Sequence, residues 1–104
     1  MLPLLFAPGA QRDFMRLPRG AIKLAGQKLL QLQFGGEPSD WKPMPTIGPG
    51  VKEIRVWNED GTFRIIYVVK SSAGIFVLHA FTKKSQATPK HEIELARKRL
   101  KEIS

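Results

Sequence analysis

The chain contains no cysteine, which excludes disulfides and thiolate-held metal sites. No apolar run approaches the ~20 residues needed to span a bilayer. The opening MLPLLFAPGAQRDF is apolar but short and lacks a basic leading segment, so it reads as a first strand of a cytoplasmic protein, not as a secretory signal or membrane anchor. There is no HExxH, no phosphate-cradling glycine loop and no Ser-His-Asp order. The two histidines, His79 and His91, fall on different predicted elements without carboxylates at ligand spacing, so no metal or cofactor is expected. Acidic residues are also scarce: nine Asp and Glu against 17 Lys and Arg leave a net charge of +8 over 104 residues. That imbalance suits an anionic partner, whether nucleic acid, membrane surface or acidic protein, although charge of this size also keeps small domains apart in solution.

What the chain does contain reads as one domain spanning residues 1–104, with ordinary globular proportions of 42% hydrophobic and 25% charged residues. PLLFA, residues 3–7, suits a short strand. Ala10, Phe14 and Leu17 recur at helical spacing in a short helix that ends at Pro18. A second helix over 19–32 places Ala21, Leu24, Ala25, Leu29 and Leu32 on one face, and Gly35-Gly36 with Pro38 end it. The stretch 39–50 holds three prolines and two glycines in twelve residues and is expected to be an irregular loop. Residues 51–57, 62–70 and 75–82 then read as three strands joined by NEDG and SSAG, an antiparallel meander. Thr88 is the expected N-cap of a last helix with Pro89 at its first position. Ile93, Ala96, Leu100 and Ile103 form its apolar stripe; Arg97, Lys98, Arg99 and Lys101 crowd its last turns, where cations suit the dipole, with Lys98, Arg99 and Lys101 on a solvated face. The order β-α-α-β-β-β-α predicts an α+β fold: an N-terminal strand and a helical hairpin packed on one face of a small curved antiparallel sheet, with a C-terminal helix.

Strand periodicity locates the cations. In TFRIIYVVK, Arg64 shares a face with Ile66 and Val68, and holding a guanidinium in a central strand costs desolvation unless an anion meets it. Arg55 alternates away from Ile54 and Val56. In IFVLHAFT, simple alternation puts Ile75, Val77, His79 and Phe81 on one side, and the strand exits into Thr82, Lys83 and Lys84. Taken singly, each has an ordinary reading: a surface ion pair for Arg55, a hydrogen-bonded core residue for His79, a core position for Tyr67, edge-protecting charges for the two lysines. Taken together, they favour an anion-binding surface on the sheet face that the helices leave open.

The segments GPGVKEIR, FRIIYV, LHAFTKKSQATP and EIELARKRL occur in order between Lys42 and Ile103. This pattern resembles the phage-derived HigB-like branch of the RelE/ParE toxin superfamily. The resemblance implies the toxin of a type II toxin–antitoxin pair, neutralised by a helix-turn-helix, HigA-like antitoxin. It implies metal-independent cleavage of mRNA on the ribosome, which inhibits translation; the ParE branch instead inhibits DNA gyrase, and a basic nucleic-acid-binding module is a third possibility. Carried over by position, it makes Arg64, His79, Lys83 and Lys84 catalytic, and Arg55, Phe81 and Thr82 RNA-binding, with Phe81 stacking on a base. A lysine serving as general base needs a lowered pKa, which neighbouring cations supply. Relatives that cleave mRNA often carry a histidine or tyrosine after the last strand; here that region is a helix rich in lysine and arginine.

Overall fold

The computed structural model describes the backbone of residues 1–104 and every side chain except that of Ser72. Strand β1 (Leu4–Phe6) leads into helices α1 (Ala10–Met15) and α2 (Arg19–Gln33), followed by strands β2 (Trp41–Pro43), β3 (Val51–Asn58) and β4 (Gly61–Lys70). A single 3-10 turn (Ser71–Ala73), strand β5 (Gly74–Thr82) and helix α3 (Lys90–Ile103) complete the chain. The fold is α+β, as expected, and the three long strands and three helices stand where periodicity puts them.

The five strands form one sheet in the order β1-β5-β4-β3-β2. It is mixed, not wholly antiparallel, because β1 pairs parallel to β5. Close approach of those two strands depends on Gly74, whose φ of 133° and lack of a side chain admit the Pro3 carbonyl; a Cβ there would meet its oxygen at 2.7 Å. Strand β2 lies inside the stretch expected to be irregular. It pairs Lys42 with Glu53 at the open edge of the sheet, an edge that tolerates Pro43 because its ladder needs no donor on the outer side.

Helices cover both faces, which corrects the expectation of one covered and one open face. The hairpin face buries Phe14, Leu17, Ala21, Ala25 and Leu29 against Ile54, Val56, Phe63, Ile65, Tyr67, Ile75, Val77 and Ala80. On the other face, α3 and the loop after β2 bring Ala96, Met44 and Ile47 onto Val51, Ile66, Val68, Leu78 and Phe81. Half of the second face is therefore core, and what remains open lies at the end where β5 finishes.

Simple alternation fails in β5 because Leu78 is inserted: Tyr67 pairs with Val77, but the next pair is Ile66 with His79. The bulge sends Val77 and Ala80 to the hairpin face and Leu78 and Phe81 to the α3 face. Bulges of this kind re-aim side chains near sites; here it sets His79 and Phe81 beside Ile66 and Arg64. Thr88 does not cap α3. Pro89 occupies the N-cap without a side-chain hydrogen bond, and the Thr88 hydroxyl is turned inward to the sheet.

Candidate nucleic-acid interface

Register brings the predicted cations together. Arg55 lies opposite Arg64, and Arg64 opposite Phe81, in one row across β3, β4 and β5. Two residues further out on the same face Trp57 pairs with Thr62, and the backbone N–H of Lys83 donates to the Thr62 carbonyl at 2.8 Å. Like charges directly opposite on paired strands repel, so the Arg55–Arg64 pair requires carboxylates. Each arginine has one.

For Arg64 the carboxylate is Glu53, at 3.3 Å from Nε, and both side chains are fully buried. Thr88 completes the cluster: its hydroxyl accepts from Arg64 Nη1 and donates to Glu53 Oε2 at 2.9 Å. Nη2 donates to the Gln86 carbonyl at 2.7 Å. The segment between β5 and α3 thus lies across Arg64 as a strap. The expectation that Arg64 offers its guanidinium to a phosphate is corrected: at 0% exposure it holds a carboxylate and a loop instead. Removing one partner from such a cluster strands the other charge in the interior.

For Arg55 the partner is Asp40, 4.0 Å away and partly exposed, an arrangement worth little energy and readily exchanged for another anion. Asp40 also accepts from Trp57 Nε1 at 2.6 Å.

His79 sits at the centre of a second buried cluster. Its Nε2 lies 2.8 Å from Glu92 Oε1, and its Nδ1 lies 3.2 Å from Arg99 Nη1. Arg99 also donates to the Leu78 carbonyl at 3.1 Å and pairs with Asp13 at 2.7 Å. Since Arg99 can only donate, Nδ1 is assigned as the acceptor and Nε2–H as the donor to Glu92. Both ring nitrogens are occupied, so His79 ties β5 to α1 and α3 and is not poised for proton transfer, a second correction. Carboxylates do surround it in space, contrary to the reading from linear spacing, but Asp13 is taken by Arg99 and Glu92 accepts from the imidazole itself. Gly9 makes room for that guanidinium: its backbone takes φ 85°, and a Cβ would meet Arg99 Nη2 at 2.9 Å. Arg99 itself, expected on the solvated face, is buried.

Phe81 is only 8% exposed, tilted against the His79 ring at 5.0 Å, and has little face left for a base. Thr82 and Lys84 are exposed and Lys83 half-buried. Among the described residues Lys83 makes no ion pair. Its pKa is lowered, first by partial desolvation and then by the charges of Arg64, Arg55 and Lys42, with Glu53 acting in the opposite sense.

Three clefts meet around this strand end. One of about 270 Å³ is lined by Asp13, Arg16, Leu17, Leu95 and residues 79–82. A second of about 360 Å³ lies between Thr82, Lys84, Pro89, His91 and Glu92. The third, about 500 Å³, is bounded by Trp57, Thr62 and residues 83–86. The first two share Thr82 and the last two share Lys84, so they form a groove around the end of β5. Arg55, Lys83, Lys84 and Arg16 give it a cationic rim suited to a polyanion.

A family model described as Phage derived protein Gp49-like (DUF891) matches residues 12–101. The chain belongs to this Gp49-like family. The family lies within the RelE/ParE-like toxin superfamily, and the HigB-like branch is a finer assignment than this match makes. No curated protein matches the chain.

In this Gp49-like protein, sequence reasoning missed Glu53, Thr88, Asp13, Arg99, Arg16 and Trp57. Arg99 carried a readable signal, since 96, 99 and 103 share the helical spacing of the buried stripe. Glu53 and Thr88 carried none, because their partner Arg64 is reached only through strand register and the path of the strap. Among the described residues no helix is long and apolar enough to cross a membrane.

Proposed function

We propose that this Gp49-like protein is the toxin of a toxin–antitoxin pair and a metal-independent endoribonuclease acting on mRNA at the ribosome. One observation carries the reading: among the described residues Lys83 makes no ion pair, desolvation and neighbouring cations lower its pKa, and it opens onto the groove at the end of β5.

In the proposed reaction the neutral amine of Lys83 takes the proton of a ribose 2′-hydroxyl, whose oxygen attacks the adjacent phosphorus. Arg55 and Lys84 neutralise the charge that develops on the non-bridging oxygens. The P–O5′ bond then breaks, leaving a 2′,3′-cyclic phosphate, and the departing oxygen takes a proton from Lys84 or from water. Thr82 contributes a hydroxyl to the same strand end. Arg64 acts through Lys83, as a fixed charge that keeps its pKa down and as the anchor of the strap; His79 holds the wall of the neighbouring cleft. Both are positioning residues. The partner that silences the protein is a helix-turn-helix, HigA-like antitoxin whose acidic segment covers the basic groove, and the site of action is the cytoplasm, where ribosomes are.

Expression without antitoxin is expected to arrest growth and cut translated messages, and Lys83→Ala is expected to restore growth at equal protein level. A second reading, inhibition of DNA gyrase by contact alone, draws on the outer side of α2, where Leu30 and Phe34 lie exposed one helical turn apart and Gly26 has open space around it. It predicts intact mRNA, loss of supercoiling, and relief by Phe34→Ala instead of Lys83→Ala.

A further inference from the structure

The groove has an aromatic side chain that the chemistry above does not use. Trp57 is 61% exposed, yet its ring is fixed, because Nε1 donates to Asp40 Oδ2 at 2.6 Å. Asp40 in turn adopts φ 60°, unusual for a residue with a side chain, and its carbonyl accepts the Arg55 backbone N–H at 3.0 Å. One acidic residue thus orients both an arginine and an indole toward the end of the sheet. The other tryptophan differs: Trp41 is half-buried, with the Lys52 ammonium 4.4 Å from its ring centroid. Its face is already taken.

We propose that Trp57 is a base-stacking platform for an unpaired nucleotide of single-stranded RNA, set beside the phosphate station formed by Lys83 and Arg55. Trp57 and Thr62 are cross-strand partners, and both line the cleft that Lys83 and Lys84 close. An exposed aromatic held rigid next to cations is the element that single-strand binders use, the ring taking the base and the cations the backbone. Pre-orientation by Asp40 reduces the ordering cost on binding. The stacking role expected of the buried Phe81 therefore falls to Trp57. A stacking face accepts any base, so the contact selects unpaired over paired RNA without selecting sequence. This inference rests on the RNA-cleaving reading, and its test separates the two.

The probe is a six-nucleotide 2′-O-methyl oligouridylate, which cannot be cleaved by 2′-hydroxyl attack, titrated at fixed salt because phosphate contacts are salt-sensitive. In a Trp41→Phe background Trp57 is the sole tryptophan, and its fluorescence is expected to fall saturably with the oligonucleotide but not with a duplex of equal length. By anisotropy of a labelled oligonucleotide, Trp57→Ala is expected to weaken binding about ten-fold, Trp57→Phe to retain most of the affinity, and Asp40→Ala to lie between. Equal affinity for wild type and Trp57→Ala would overturn the stacking role while leaving the cationic groove intact. Failure of the wild type to bind the oligonucleotide would overturn both, whereas a Trp57→Ala protein that keeps its RNA affinity and loses only its antitoxin would overturn the stacking role alone.

Discussion

Arg64 and Lys83 are near neighbours in the sheet, yet their surroundings are opposite. Arg64 is sealed beneath the strap from Ser85 to Pro89, with Glu53 supplying the counter-charge and Thr88 and Gln86 accepting from its two terminal nitrogens. Lys83 stands two residues further along the same register, half-buried, with other cations nearby and, among the described residues, no ion pair. Arg99 repeats the first pattern around Asp13 and Leu78; Lys84 repeats the second. A cation enclosed by protein must bring its counter-charge with it and so becomes architecture. A cation left without one keeps its capacity for an external anion. The charge excess of the chain is thus not spread evenly in function: part of it is neutralised internally and part is concentrated at the end of β5.

The largest way to break this contrast is to delete an enclosed cation. Arg64→Ala strands Glu53 in the interior and is expected to cost about 3–5 kcal/mol of folding stability, read by urea denaturation. Replacing both partners together, as Arg64→Met with Glu53→Leu, is expected to recover most of that loss. If Arg64→Ala unfolds no more readily than wild type, the enclosed pair is not architecture.

The next effect extends the logic of enclosure to a neutral group. Tyr67 is buried, and burial, reinforced by Glu37, raises its pKa to about 12. The folded state therefore holds the phenolic proton that the unfolded chain releases near pH 10. Stability from this source is complete below pH 10 and declines as pH rises toward 12, by about 2–3 kcal/mol. Thermal unfolding across that range checks the window, with Tyr67→Phe removing the step.

Deleting an open cation is expected to do the least to folding. Lys83→Ala and Lys84→Ala are expected to change stability by no more than about 0.5 kcal/mol while abolishing toxicity. The lowered pKa of Lys83 adds a finer check: in competitive acetylation across a pH series its amine is expected to become reactive at lower pH than the side chain of a free lysine peptide. A Lys83 amine that titrates like that of the free peptide would remove the reason for assigning it the proton transfer.

Much of this was legible from periodicity. The helical hairpin, the meander and α3 follow from apolar spacing because each buries one face. The exit of two lysines from an apolar strand marked the functional end of the sheet. What escaped depended on tertiary partners. Strand β2 was hidden by Pro43, which an edge position permits. The Leu78 bulge, invisible to alternation, decides which side chains join Arg64. Above all, Arg64 and His79 looked chemical because their types and positions suit catalysis, and only register shows that Glu53, Thr88, Asp13, Glu92 and Arg99 occupy them. Trp57, by contrast, read as one residue of a strand until its exposure and its bond to Asp40 set it beside Lys83.

Mapping cellular RNA 5′ ends minutes after induction, for wild type and Lys83→Ala at equal protein levels, addresses the role of the open cations most directly. New ends within translated messages in wild type, absent in Lys83→Ala, are the predicted result. Growth arrest with intact messages, or a Lys83→Ala protein that cuts as wild type does, would contradict it.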